Sequence, residues 1–282
     1  MTRSRRSSPI SAACPTHRSD RRAGGTATCL ALIAGAVVCL TATASARSLE
    51  AITARGVLSL CAHPNALPFA SRRNDPPGFQ IDLARAIAQH LDVSLDVAWV
   101  VSPIQYRSAD CDIVLDTIVE PQVQAEGRIR ISRPYHRSGV ALALPMSAAA
   151  IASFRDLDGT RRIGVQAGSL AQMVLGQRGL KTTPYGFEDE MIAALAAGGI
   201  DAAAVSPASV GYFNLQHPAT PIRLVHAYEQ EPQLSWNIAV GMRGGDTALR
   251  QKIDAAIDRM LGDGTFKTVY ARYGIEHRSP AP

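Results

Sequence analysis

Short apolar runs alternate with amphipathic stretches along most of the chain. Val57-Leu-Ser-Leu-Cys61 predicts a strand, and Phe79, Leu83, Ile87 and Leu91 recur every four residues, the apolar stripe of a helix. Ser94-Leu-Asp-Val-Ala-Trp99 and Asp112-Ile-Val-Leu-Asp116 predict two more strands. Strand, helix and strand at this spacing make a βαβ unit, which calls for a parallel sheet covered on both faces. The pattern then restarts. Strands are expected at Val140–Leu144, Arg162–Val165 and Ile200–Val205, with a helix after Gln166-Ala-Gly-Ser169. Glu188-Asp-Glu190 places acids in the first turn of another helix, where they complement its dipole, and Gly198-Gly199 stops it. Trp236–Val240 is the last strand. A helix striped by Leu249, Ile253, Ile257 and Met260 follows, then a short helix carrying Phe266, Val269, Tyr270 and Tyr273.

These elements fall into two α/β blocks, with residues 47–142 in the first and 143–236 in the second. The tail, 237–282, is too small to stand alone, so it is expected to return to the first block. That makes two crossings between lobes and a ligand cleft between them, beyond the carboxyl ends of the strands.

The preceding residues read differently. Six arginines and a single acid, Asp20, lead into an uncharged apolar core, Cys29–Leu40, and Ala44-Ser45-Ala46 fits a small-x-small cleavage site. This predicts an export signal over 1–46, with an uncleaved anchor as the alternative, although the core is short of the ~20 residues a spanning helix needs. The net charge of +5 belongs to this segment: without it, 29 cations and 24 anions become 23 of each. A neutral remainder carries no electrostatic signal for nucleic acid or an anionic membrane.

Cys14, Cys29 and Cys39 fall in the leader, which leaves Cys61 and Cys111. Export to an oxidising compartment favours a disulfide. The strand reading opposes it, because parallel neighbours with a rise of ~3.3 Å per residue set the two ~10 Å apart, beyond the ~7 Å Cα limit. A bond and two buried thiols both stay open. No phosphate-binding or dinucleotide-binding glycine loop, zinc-protease motif, paired CxxC or Gly-x-Ser-x-Gly occurs, and no two histidines stand at metal-ligand spacing. The chain is therefore expected to bind rather than catalyse, with no cofactor and no metal.

Gly78-Phe-Gln-Ile-Asp-Leu-Ala84, Asp116-Thr-Ile118, Ser132-Arg-Pro-Tyr135, Arg162–Ser169, Gly199-Ile-Asp-Ala202 and Ile238–Asp246 together resemble the family-3 periplasmic solute-binding proteins of amino-acid-type ABC importers. The resemblance implies a type II periplasmic binding protein fold, two α/β lobes of mostly parallel sheet hinged near 140–145 and 235–240. Cys61–Phe69, Cys111–Val114 and Pro232–Trp236 more narrowly resemble the MxaJ/XoxJ-like, quinoprotein dehydrogenase-associated subgroup. That implies a PQQ-dependent alcohol dehydrogenase as partner, with an ABC permease as the other possibility. In amino-acid binders of the family an arginine in the segment after the third strand holds the ligand carboxylate. Gln122 stands there, unless Arg128 or Arg130 replaces it, and Ser206 stands where an ammonium-binding aspartate is implied. A zwitterion would be poorly compensated, so the expected ligand is small, not an α-amino acid, and uncharged or anionic.

His63, Asn65 and Phe69 follow the first strand and are expected at the cleft, Phe69 where the family stacks an aromatic on ligand; alternatively, Phe69 packs under a turn shaped by Pro64 and Pro68. Asp116 and Thr117 end a strand, and Asp116 either meets the ligand or caps the next turn. Gly168 and Ser169 offer backbone N–H groups at a helix start, for an anion or as an ordinary cap. A dehydratase-type enzyme on the same fold would need a carboxylic acid in the cleft, from Asp116 or Glu120.

Overall fold

The computed structural model describes residues 47–282 apart from 103, 104, 107, 128, 149 and 245. The expected export signal and Arg128 lie outside the described residues. Elements of the first part are α1 (Leu49–Arg55), β1 (Val57–Ala62), the hairpin β2 (Asn65–Ala66) and β3 (Ala70–Ser71), α2 (Phe79–His90), β4 (Ser94–Trp99), β5 (Ile113–Ile118), α3 (Pro121–Gly127), β6 (Ile129–Ile131) and β7 (His136–Gly139). The second part holds β8 (Ala141–Pro145), β9 (Ile163–Gln166), α4 (Leu170–Gln177), β10 (Thr182–Tyr185), α5 (Glu188–Ala196), β11 (Ala202–Val205), α6 (Pro207–Gln216) and β12 (Ile222–Val225). The chain then returns through β13 (Ser235–Arg243), α7 (Thr247–Gly262) and α8 (Thr265–Ala271).

The first lobe is built on a sheet ordered β4-β1-β5-β13-β6, with β7 also paired to β13. The stripe Phe79, Leu83, Ile87 and Leu91 faces this sheet, each residue under a tenth exposed. Fully burying a side chain of this kind contributes about 2 kcal/mol. The second lobe's sheet runs β10-β9-β11-β8-β12. Alternation covers both of its faces: Leu142, Leu144, Ala202 and Ala204 enter one core, and Ala143, Ala203 and Val205 the other.

Parallel pairing holds where βαβ units build the sheet, as between β1 and β4 and between β9 and β10. The strands next to the crossings run the other way: β13 is antiparallel to β5, and β8 to β11 and β12. A strand arriving from the opposite lobe enters from the far end of the sheet.

The two crossings touch, Val140 N–H donating to the Leu234 carbonyl at 2.9 Å. This moves the limits expected from the sequence. Ala141 and Leu142, assigned to the first lobe, belong to β8 of the second sheet, while Ser235 and Trp236, assigned to the second, belong to β13 of the first. The terminal residues bind both crossing strands. Asn237 exchanges two hydrogen bonds of 2.9 Å with Ala281, and Arg137 N–H donates to the Arg278 carbonyl. His277 inserts among His136, Phe266 and Tyr270.

Cys61 and Cys111 form a disulfide with a Cα–Cα separation of 5.4 Å, which corrects the expectation drawn from strand spacing. That expectation extended the strand straight back through Cys111. The chain instead bends at Asp112 and carries Cys111 toward Cys61. The bend is anchored by buried Asp112, whose carboxylate accepts from Ser59 N–H at 2.8 Å and Arg47 Nε at 2.7 Å, with Arg55 at 3.3 Å. Among the described residues, no helix is long and apolar enough to cross a membrane.

Candidate ligand-binding cleft

A cleft of about 860 Å³ opens between the lobes. Its first wall is the loop and hairpin after β1. Asn65 N–H donates to His63 Nδ1 at 3.1 Å, which orients the imidazole. Phe69 packs on Phe79 at 5.2 Å between centroids, and Phe79 on Tyr270 at 5.1 Å, so Phe69 is the outer ring of a series rooted in the core. Gly78 makes this seat possible. Its φ is +100°, and a Cβ there would stand 2.4 Å from the Phe69 carbonyl oxygen.

The second wall comes from the start of α5 and one face of α6. Phe187, Glu188, Asp189 and Glu190 line it, with Ser209, Tyr212 and Phe213. Glu188 is the hub of this wall: Oε1 accepts from Ser206 N–H at 2.9 Å, and Oε2 from Ser206 Oγ at 2.6 Å and Ser209 Oγ at 2.5 Å. Its charge therefore sits on the N-terminal end of α6, where free N–H groups stabilise an anion. Glu190 has no side-chain hydrogen bond or ion pair among the described residues.

Of the residues singled out in the sequence, His63, Asn65 and Phe69 line the cleft together. Ser206 does not line it but caps α6 and holds Glu188. Gly168 and Ser169 start α4 outside the lining, and the Gly168 N–H is engaged by Gln172 Oε1 at 2.7 Å. Thr117 is also outside it, as is Asp116. Between β5 and β13 the register shifts, with Leu115 and Asp116 both opposite Val240, and Asp116 has φ +53°. Such a bulge re-aims side chains. The Asp116 carboxylate accepts from Gln80 Nε2 at 2.7 Å and Tyr135 OH at 2.8 Å instead. Burial pushes its carboxyl up, against these two hydrogen bonds that pull it down. Arg130 reaches Thr247 Oγ1, away from the cleft.

Sequence reasoning missed Glu188 as a site residue. Glu188-Asp-Glu190 read only as charges complementing a helix dipole. The available signal was positional, since helix N-termini that follow strands stand at the ligand edge of an α/β sheet.

Two hinged α/β lobes with a cleft lined from both sides define a two-lobed binding protein. The model of the bacterial extracellular solute-binding proteins, family 3, matches residues 58–276, and the chain belongs to that family. It is similar to the membrane-bound lytic murein transglycosylase F of Desulfosudis oleivorans, 27% identical over 81% of this chain and 51% of that protein. The chain thus spans about half the length of that relative. Among solved structures it is similar to an ancestral cationic amino acid solute-binding protein, with a TM-score of 0.69, 23% identity, and 80% of this chain and 99% of that one covered. It is also similar to the periplasmic binding protein XoxJ of Methylobacterium extorquens AM1, with a TM-score of 0.64, 21% identity, and coverage of 79% and 99%. At these identities the likeness is one of fold.

Proposed function

We propose that the chain is exported, cleaved near Ala46, and acts in the periplasm as a substrate-binding protein that closes on a small ligand other than an ordinary α-amino acid, for delivery to an ABC importer. One observation carries this reading: the cleft is lined from both lobes, yet among the described residues no arginine or lysine stands in its lining to hold an α-carboxylate. Closure on a ligand touching both walls shifts the population toward the closed form by the difference in affinity between the two states. Asp116 and Glu120, the carboxyls considered for dehydratase chemistry, do not line the cleft.

Native mass spectrometry of the mature protein, released gently from its own periplasm, tests this. A bound mass of small-molecule size is expected, lost on unfolding. An empty cleft and a co-purifying dehydrogenase subunit would overturn the reading.

That second outcome belongs to an alternative with its own observation. Two of the three segments that resemble dehydrogenase-associated proteins, Cys61–Phe69 and Cys111–Val114, are joined by the disulfide, and the first supplies the cleft's first wall. In that role the cleft lip would engage a periplasmic quinoprotein dehydrogenase.

A further inference from the structure

The ligand's charge can be read from the cleft in three ways. Glu188, Asp189 and Glu190 bring three carboxylates to the lining, and His63 is the only basic side chain there among the described residues. Backbone donors at the starts of α4 and α6 are engaged internally, and the start of α5 carries three acids of its own. Ser206 N–H goes to Glu188, Ser209 N–H to Ser206 Oγ, and Gly168 N–H to Gln172. The lining carries aromatic rings on both sides, Phe69 on the first lobe and Phe187, Tyr212 and Phe213 on the second. Rings of this kind attract a cation over their faces and pack against methylene groups. This polarity is opposite to the uncharged or anionic ligand expected from the sequence.

We infer that the cleft selects an organic cation, an ammonium or guanidinium group on an apolar stem, that carries no carboxylate. The inference rests on the solute-binding reading above and specifies its ligand class. Lobe closure removes water from the acidic wall, so an uncharged ligand would leave buried carboxylates uncompensated. A carboxylate on the ligand would face them with no arginine or lysine among the described lining residues to receive it, and the start of α5 is already flanked by its own three carboxylates. A cation neutralises the wall while its stem lies between the rings.

Agmatine and arginine differ by one carboxylate, and titration calorimetry of the mature protein with each is the direct test. Agmatine is expected to bind at least tenfold more tightly than arginine. Glu190→Gln, which disturbs no hydrogen bond in the fold, is expected to weaken agmatine by five- to tenfold without lowering the ligand-free melting temperature. Glu188→Gln should weaken it by more. Equal or tighter binding of arginine would overturn the inference, as would agmatine, putrescine and choline all failing to bind at millimolar concentration. The endogenous ligand separates this failure from that of the parent reading. If a bound small molecule is recovered that forms a methyl ester or is retained by an anion exchanger, the cation inference falls and solute binding stands. If no small molecule is recovered, both fall.

Discussion

At the scale of single residues, His136 is one source of acid sensitivity in the fold. It is 6% exposed, stacked on Tyr270 at 4.8 Å and on His277 at 5.4 Å. Burial first, then electrostatic interaction with the neighbouring His277 ring, lowers its pKa to about 3. The imidazole is neutral in the fold, whereas the unfolded chain takes up a proton below about pH 6.5. Between those two values the unfolded state binds more protons, so stability is lost as pH falls from 6.5 toward 3. This one residue contributes about 1.4 kcal/mol per pH unit across that window. Denaturant unfolding at pH 7, 6, 5 and 4 should show the decline, and His136→Gln should flatten it. A slope that the substitution leaves unchanged would assign the acid sensitivity elsewhere.

At the scale of elements, the disulfide and the bend at Asp112 fix the start of β5 against the end of β1, and the cleft's first wall is the loop that leaves β1 beyond that point. Linking residues 50 apart restricts the unfolded chain, an effect of about 4 kcal/mol for a loop of that length. Replacing both Cys61 and Cys111 by alanine is therefore expected to lower the unfolding free energy by about that amount. Dithiothreitol should do the same to the native chain and nothing to the double variant. Equal stability with and without reductant would refute a structural role for the bond. The longer elements were legible in sequence: β4 spans Ser94–Trp99 as the alternation predicts, and α2 buries the predicted stripe. The elements that periodicity missed are short or edge-placed, such as β2, β3 and β7, or carry mixed polarity. Helix α6 is an example, with Tyr212 and Phe213 lining the cleft while each packs against the core of a different lobe.

At the scale of the whole molecule, α6 follows a strand of the second lobe yet packs on the first. Ala208 enters the first lobe's core, and Tyr212 lies 6.3 Å from Tyr273. Between them Gly211 meets Gly274 backbone to backbone, and a Cβ on Gly211 would stand 2.3 Å from the Gly274 carbonyl oxygen. The lobes approach this closely because neither residue has a side chain. Gly211→Ala is expected to push α6 off the first lobe and favour the open form. Small-angle scattering should give a larger radius of gyration for the variant without ligand, and ligand affinity should drop at least threefold. An unchanged radius would place the contact outside the closure motion.

Sequence alone determined the two-lobed α/β plan, the return of the tail to the first lobe, and the placing of His63, Asn65 and Phe69 beside the first strand. Those features follow from apolar periodicity and element order, which are local in the chain. Tertiary structure decided the rest. The bend at Asp112 brought Cys111 to Cys61, and the bulge in β5 turned Asp116 from the cleft to Gln80 and Tyr135. Glu188 reached Ser206 and Ser209 from another helix and set the sign of the cleft. Each outcome depends on where distant segments meet, and a cleft's charge is the sum over walls that the chain contributes far apart in sequence.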